Sequence, residues 1–185
     1  MAFYYALHSL LAHQPIKDRL MHFVSKRYYR MLYNLIAMGL LLPVVYMYSR
    51  VDHVTLFKTN SITHLAGGLC IFSGLLLMIM ALRQYNLSQF AGISDLKKLA
   101  GKELAVLKIS GINRWMRHPL YTAILILLNG FVLIKPNTAS LGLAIISLIY
   151  ILIGIQLEER KLIVEFGEDY VKYKKEVSML IPFLF

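Results

Sequence analysis

The feature that most constrains the fold of this chain is a set of four long apolar runs separated by charged segments. The runs cover residues 31–49, 62–82, 120–134 and 139–157. The first, second and fourth contain no charged side chain, and the third is the shortest. Because crossing the ~30 Å hydrocarbon core of a bilayer takes about 20 predominantly apolar residues, we expect an all-α integral membrane protein with four full transmembrane helices.

The composition agrees with this class of protein. Of the 185 residues, 58% are hydrophobic and 16% are charged, and the mean hydropathy is +0.59. These values exclude a disordered chain and argue against an ordinary soluble domain. The length predicts a single membrane domain over residues 1–185. The single cysteine, Cys70, excludes an intrachain disulfide and is expected to be a small buried apolar side chain, not a nucleophile.

The segments outside the four runs predict shorter helices. Residues 1–12 are uncharged but too short to span a bilayer, and they lack the basic start and the cleavage site of a signal peptide. We therefore expect a short N-terminal helix there. Residues 83–119 mix apolar residues with lysines and predict an interfacial connector. After Glu158 the chain is predicted to continue to Tyr173 as a charged amphipathic helix. Its apolar stripe consists of Leu162, Phe166, Tyr170 and Tyr173.

The distribution of the basic residues predicts the orientation of the chain. The formal net charge is +10, and 17 of the 20 Lys and Arg residues fall in segments 13–30, 83–119 and 158–185. Since Lys and Arg near the ends of spans stay on the cytoplasmic side, we expect these segments to face the cytoplasm and to attract anionic membrane lipids. The basic residues are not interleaved with aromatic side chains on a soluble module, so nucleic-acid binding is not expected.

Two clusters of polar side chains lie at the predicted cytoplasmic ends of the third and fourth runs. The first covers residues 114–121 and contains Arg117 and His118, and the second covers residues 158–161 and begins with two glutamates. The chain between them is predicted to form a helical hairpin that turns at residues 135–137. Both clusters are therefore expected to lie close together on one face of the membrane.

Each of these side chains has a simpler explanation when it is taken alone. The arginines suit ordinary cytoplasmic anchors, Pro119 suits the first turn of a helix, and a histidine at the interface stays hydrated at little cost. Glu158 and Glu159 are harder to explain, because the helix dipole disfavours carboxylates at the C-terminal end of an apolar helix. Arg117 or a bound cationic ligand would compensate their charge.

This combination of groups suits a cofactor such as S-adenosylmethionine, although it does not single that cofactor out. Carboxylates accept hydrogen bonds from ribose hydroxyls or an α-amino group, and arginine holds a carboxylate. Methyl transfer from a sulfonium needs mainly the alignment of a nucleophile in a pocket poor in water. The residues alone therefore permit a methyltransferase.

The order of short motifs across about the last 70 residues carries a resemblance to a known family. The motifs are Arg117-His118-Pro119-Leu120-Tyr121, Glu158-Glu159-Arg160-Lys161-Leu162, Phe166-Gly167-Glu168-Asp169-Tyr170-Val171-Lys172-Tyr173 and Ile181-Pro182. In this order they resemble the isoprenylcysteine carboxyl methyltransferase superfamily of integral membrane enzymes. The resemblance implies a methyltransferase core over residues 114–185 that binds S-adenosylmethionine at the cytoplasmic face.

Two further stretches narrow the resemblance within this superfamily. Residues 6–12 with Lys17, and residues 150–160, are most similar to the methanethiol S-methyltransferases and the NnrU-like proteins. The isoprenylcysteine enzymes have an arginine four residues before the functional glutamate, where this chain has Gly154. The resemblance therefore implies a small thiol or lipid-like methyl acceptor in preference to a prenylated cysteine. It also implies a place in the bacterial cytoplasmic membrane.

The resemblance implies roles for individual residues. Glu158 and Arg117 are the predicted catalytic residues, and the charge of Arg117 is expected to favour the thiolate form of a thiol acceptor. The predicted cofactor-binding residues are Arg117, His118, Tyr121, Glu158, Glu159, Tyr170 and Tyr173. Methyl transfer is expected to be direct, without a covalent enzyme intermediate.

The other histidines give weaker indications. His8 is a candidate substrate-side group, and a packed, hydrogen-bonded histidine is the alternative. The remaining four share no metal-ligand spacing, so no metal site is predicted. These four are His13, His22, His53 and His64.

Two alternative functions accompany the methyltransferase prediction. One is a non-catalytic membrane partner of the NnrU-like kind, which keeps the fold without the chemistry. The other is a membrane sterol reductase, since those NADPH-dependent enzymes share an Arg-His-x-x-Tyr element. Pro119 and the pattern of residues 166–173 favour the methyltransferases over the reductases.

Overall fold

The computed structural model describes residues 2–12, 14–20, 22, 24, 26–84 and 106–182. Within these residues the regular elements are all helical, and β pairing is limited to two isolated bridges. In chain order the α-helices are α1 Ala2–Ala12, α2 Gln14–Leu20, α3 Lys26–Arg50, α4 Ser61–Leu82, α5 Pro119–Ile134, α6 Thr138–Phe166 and α7 Glu168–Glu176. A short 3-10 helix, Gly111–Arg114, precedes α5. The predicted all-α class is confirmed.

Within the part of the chain that the structure describes, three helices are long and apolar enough to cross a membrane. They comprise Met31–Arg50 within α3, the whole of α4 and the whole of α6. Helix α5 is apolar but has only 16 residues, or about 24 Å at 1.5 Å per residue. The prediction of an integral membrane protein is therefore confirmed. The count of four full spans is not confirmed, because the described residues contain three full-length candidate spans and one shorter apolar helix.

The outer surface of α4 fits a lipid environment. Leu65 is 66% exposed and Phe72 is 68% exposed. Apolar side chains this exposed along a whole helix would be a liability in water and are at home against acyl chains.

Contacts divide the chain into two compact units, one of residues 1–52 with 85–103 and one of residues 53–84 with 104–185. In the first unit, α1 packs against α2 and α3. Most of the predicted interfacial connector, residues 85–105, lies outside the described residues. The candidate site belongs to the second unit, in which α4 packs along α5 and α5 packs against α6. The single-domain organisation predicted above stays a prediction.

The contact between α4 and α5 is built on small residues. A Cβ atom added at Gly130 would lie 2.8 Å from the backbone oxygen of Gly67, so the two backbones approach as closely as glycine allows. Small residues give membrane helices this close approach. Cys70 lies in the same contact and is half-buried, less buried than predicted. This packing sets α5 firmly beside α4.

The hairpin between α5 and α6 turns where the sequence predicts. Helix α5 ends at Ile134, and Asn137 caps α6 by accepting a 2.8 Å hydrogen bond from the backbone N–H of Ser140 on its Oδ1. A tight turn of three residues forces α5 and α6 to run antiparallel side by side. The start of α5 and the far end of α6 therefore lie at the same end of the bundle.

The prediction of one continuous helix from Glu158 to Tyr173 is wrong at Gly167. This residue has φ +58° and ψ −133°, outside the helical region, and it ends α6 and precedes α7. The predicted apolar stripe nevertheless packs together, because α7 folds back and buries Tyr170 and Tyr173 against α6. The partners of these two rings include Leu162, Ile163, Phe166 and Val177.

Candidate active site

Helix geometry places the two polar clusters at one end of the second unit. Glu158 follows the first residue of α6 by about 30 Å along the helix axis, which matches the hydrocarbon thickness of a bilayer. His118 is the N-cap residue of α5, which runs antiparallel to α6. The clusters meet through Arg117, whose Nε donates a 2.8 Å hydrogen bond to Oε1 of Glu159.

Glu159 is the centre of a buried ion network. Its side chain is 7% exposed, and Oε1 accepts from Arg117 while Oε2 lies 2.6 Å from Nζ of Lys174. His118 Nε2 lies 3.3 Å from Oε1. A buried carboxylate needs opposite charges and hydrogen-bond donors around it, and here the loop before α5 and helix α7 supply them. Glu159 therefore ties three segments of the chain together.

Arg117 also holds the C-terminal segment through backbone oxygens. Its Nη1 donates a 2.9 Å hydrogen bond to the carbonyl of Lys174 and another to the carbonyl of Val177. The backbone N–H of Arg117 donates to the carbonyl of Ser178 at 2.9 Å. The N–H of His118 donates to Met179 in the same way, at 3.1 Å. Two nitrogen atoms of the guanidinium are thus engaged with protein oxygens.

Glu158 has a different environment from its neighbour. Its side chain is 41% exposed, and Oε2 accepts a 3.0 Å hydrogen bond from the hydroxyl of Tyr121. The ring nitrogen Nδ1 of His118 lies 3.9 Å from the same oxygen. Glu158 thus faces the opening of the cluster while Glu159 is enclosed by it.

Burial of His118 in this arrangement favours the neutral imidazole. Burial lowers its pKa below the ordinary value, and this effect outweighs the opposing influence of Glu158 and Glu159. A carboxylate can only accept a hydrogen bond, so the neutral ring carries its proton on Nε2 and donates it to Glu159. The ring centroid of Tyr121 is 5.7 Å away. Nδ1 is left as an acceptor facing Glu158.

The two tyrosines of α7 have different hydroxyl environments. The Tyr173 hydroxyl donates a 2.6 Å hydrogen bond to the backbone oxygen of Asn113. Tyr170 is only 1% exposed, and its hydroxyl has no hydrogen-bond partner among the described residues. Burial raises its pKa, and both glutamates of the cluster act in the same direction. A buried hydroxyl without a partner costs about 1–3 kcal/mol, so a hydrogen-bond partner for this group would be stabilising.

The structure brings all the predicted site residues into one region, in loop 114–118 and helices α5, α6 and α7. Sequence reasoning missed Lys174 and the backbone oxygens that Arg117 binds. The position of Lys174, four residues after Tyr170 on one helix, is the signal that could have found it. Backbone oxygens leave no signal in a sequence.

Arg114, the other arginine of the first cluster, is exposed. The side chain of His8 lies outside the described part of the chain, as does His13, so the substrate-side role of His8 stays a prediction. No group of three His, Cys, Asp or Glu side chains placed to hold a metal occurs among the residues that the structure describes.

Comparison with known proteins gives a family match over nearly the whole chain. The profile of the NnrU protein family matches residues 1–183. No solved structure gives a significant match.

Individual relatives match at moderate identity. Methanethiol S-methyltransferase 1 of Bradyrhizobium diazoefficiens is 33% identical over 193 aligned positions, which cover 98% of this chain and 64% of the relative. Methanethiol S-methyltransferase of Crocosphaera subtropica is 39% identical over 82 positions, covering 42% of this chain and 29% of the relative. Protein-S-isoprenylcysteine O-methyltransferase of Saccharomyces cerevisiae is 31% identical over 124 positions, covering 65% of this chain and 52% of the relative. The chain thus spans less than two thirds of the length of each of these relatives.

Proposed function

Because the chain belongs to the NnrU protein family, we propose that it is a membrane-embedded methyltransferase that uses S-adenosylmethionine. The observation that carries this proposal is the contrast between two adjacent carboxylates. Glu159 is neutralised inside the protein, whereas Glu158 faces outward with Tyr121 as its hydrogen-bond partner. An open carboxylate beside a buried, positively charged support is suited to bind a ligand with hydroxyl or ammonium groups.

The residues present fit S-adenosylmethionine. Glu158 would accept hydrogen bonds from the ribose hydroxyls or the α-amino group, and the buried hydroxyl of Tyr170 lacks a partner that a ligand would provide. Tyr121 holds the Glu158 carboxylate through its hydroxyl and would fix its orientation during binding. When bound, the cofactor supplies an electrophilic methyl group on a sulfonium sulfur.

The chain's own residues would bind the cofactor, orient the two reactants and exclude water from the site. We propose Glu158 and Arg117 as the catalytic residues. Arg117 would also position α7, because its Nε donates to Glu159 and its Nη1 donates to the carbonyl of Lys174. His118, Glu159 and Tyr173 support the site as well as forming its cofactor side. Methyl transfer needs mainly the alignment of the acceptor with the methyl group. A rigid ion network beside Glu158 would favour that alignment because it keeps the site in one geometry.

The proposed acceptor is a small thiol or a lipid-like molecule. Gly154 lies one helical turn before Glu158, and no heavy atom lies within 4 Å of the position that a Cβ would take there. An arginine at this point, as in the isoprenylcysteine enzymes, would add a carboxylate-binding group that this chain lacks. The relatives named methanethiol S-methyltransferase support the thiol.

The proposed location is a bacterial cytoplasmic membrane, with the site facing the cytoplasm. Among the described residues of the second unit, the end that contains Glu159 carries nine Lys and Arg residues, and the opposite end carries only Lys58 and Lys135. This asymmetry is typical of the cytoplasmic side.

Calorimetric binding of S-adenosylmethionine and S-adenosylhomocysteine to the detergent-purified protein tests the proposal. We expect saturable binding by the wild type and a 10- to 100-fold weaker affinity for Glu158→Gln, since a hydrogen bond to a charged group contributes about 1.5–3 kcal/mol. Glu165→Gln is the matched control, because Glu165 is an exposed carboxylate on the same helix. Its affinity should equal that of the wild type.

Three other outcomes would redirect the proposal. If the folded wild type binds neither compound, the non-catalytic membrane partner becomes the better explanation. If it binds both and Glu158→Gln binds equally well, the methyltransferase proposal stands and the assignment of Glu158 is wrong. Preferential binding of NADPH would instead favour a reductase.

A further inference from the structure

A cavity of the second unit lies at the end of the bundle opposite Glu159. It has a volume of about 580 Å³ and is partly open to the outside. It is formed by the loop before α4 together with the end of α5 and the turn before α6. The lining residues are His53, Thr55, Phe57, Lys58, Thr59, Ile134, Lys135, Pro136 and Asn137.

Hydrogen bonds hold the two walls of this cavity together. The N–H of Leu56 donates to the carbonyl of Pro136 at 2.8 Å, and the N–H of Thr138 donates to the carbonyl of Val54 at 3.0 Å. Val54 in turn donates its N–H to the hydroxyl of Thr138 at 3.1 Å. The loop is thus paired with the turn by main-chain contacts, as an isolated antiparallel bridge. The loop and the turn that form two sides of the cavity are therefore held together.

The charge of the cavity has one sign. Lys58 and Lys135 are both exposed, and none of the described residues that line the cavity carries a carboxylate. These two lysines are also the only Lys or Arg residues at this end among the described residues of the unit. A cleft lined by one sign of charge concentrates ions of the opposite sign. The cavity is therefore suited to an anion.

The position of the cavity indicates that its ligand also has an apolar part. Helix α5 ends at Ile134 and α4 begins at Ser61, so the cavity lies where the apolar helices meet the aqueous boundary. Phe57 and Ile134 contribute apolar surface to its lining, while Thr55 and Thr59 contribute hydroxyl groups. A ligand that fits has an anionic, hydrogen-bonding head and a hydrocarbon portion.

We propose that this cavity binds the phosphate headgroup of an anionic phospholipid from the leaflet opposite the candidate active site. Lys58 and Lys135 bind the phosphate oxygens as two point charges, and the threonine hydroxyls contact the headgroup. The acyl chains then lie along the exposed apolar surface of α4. The lipid clamps the loop before α4 to the turn that begins α6.

Competition and retention measurements with defined lipids test this site. The purified full chain is exchanged into nanodiscs of phosphatidylcholine that contain a minor fraction of phosphatidylglycerol, and the retained lipid is measured by native mass spectrometry. We expect the wild type to retain phosphatidylglycerol. The double variant Lys58→Gln/Lys135→Gln should retain at least tenfold less of this lipid than the wild type does. Arg50→Gln is the matched control, because it removes a basic residue that does not line the cavity. It should retain the lipid fully.

The source of the phosphate and the fold are controlled separately. Short-chain phosphatidylglycerol should compete for the site at much lower concentration than inorganic phosphate, and equal competition would overturn the lipid assignment. The variant Lys58→Arg/Lys135→Arg keeps both charges and should retain the lipid, which separates lost charge from lost folding. Equal retention by the wild type and the double glutamine variant would overturn the site itself.

Discussion

The two ends of the second unit use charge in opposite ways. At one end, Arg117, Lys174 and Glu159 are brought within hydrogen-bond distance of each other, and the arginine and the glutamate are 7% exposed. At the other end, Lys58 and Lys135 are exposed and line a cavity without a carboxylate among its described residues. Charges that are paired inside a protein hold its segments in place, whereas charges left open at a cavity are available to ligands.

The same contrast is repeated within two adjacent residues. Successive positions on a helix differ by about 100° around its axis, so Glu158 and Glu159 cannot share an environment. Glu159 turns toward Arg117 and α7, while Glu158 turns toward Tyr121 and the opening. One helix therefore provides both a supporting carboxylate and an accessible one.

The largest expected effect is a loss of stability on breaking the ion network around Glu159. Glu159→Ala leaves Arg117 buried without its carboxylate, and removing one partner of a buried ion pair costs about 3–5 kcal/mol. We expect the free energy of unfolding, measured in mixed detergent micelles, to fall by that amount. Glu158→Ala, which removes a half-exposed carboxylate with one hydrogen bond, should lose about 1 kcal/mol. Equal losses for both variants would contradict the division of roles.

A smaller effect depends on pH and on His118. Because burial lowers its pKa below that of the unfolded chain, the unfolded state takes up a proton that the folded state does not. Stability should therefore be insensitive to this group above pH 6.5 and fall as the pH drops below it, by at most about 1.4 kcal/mol per pH unit. Unfolding of the wild type and His118→Gln between pH 8 and 5 measures the difference. An unchanged slope in the variant would show that His118 is not the group responsible.

The smallest effect on stability is expected at the end of the second unit that contains Lys58 and Lys135. Lys58→Gln/Lys135→Gln removes two exposed charges that have no ion-pair partner among the described residues, so the free energy of unfolding in lipid-free detergent should change by less than about 0.5 kcal/mol. The stability difference between wild type and variant should appear only when phosphatidylglycerol is added. A large loss without lipid would mean that these lysines support the fold directly, and the comparison of the two ends would fail.

The long apolar helices could be predicted closely because a run of apolar residues marks each of them. The second apolar run, residues 62–82, matches α4 to within one residue. The short length of α5 was visible in the sequence as well. The break at Gly167 was missed because the stripe through Phe166 and Tyr170 keeps helical spacing across it, and a spacing pattern does not report the backbone angle of the residue between.

The sequence could predict which residues come together at the candidate site, but not how they contact each other. The turn at residues 135–137 brings Arg117 and Glu159 to one end, and that much follows from topology. Which of the two glutamates is enclosed depends on the rotation of α6 about its axis, which no motif specifies. The ion pair with Lys174 depends on the reversal of the chain after Phe166, which the predicted straight helix did not contain.

The joint at Gly167 has a consequence that concerns handedness. No heavy atom lies within 4 Å of the Cβ that an alanine would add there, so space is not the obstacle to a side chain. The obstacle is the backbone itself, whose φ of +58° and ψ of −133° are close to the mirror image of polyproline II. L-amino acids avoid that region, and glycine enters it freely because it has no stereocentre. The helix that closes over Glu159 is thus attached through the one residue type in proteins that is achiral.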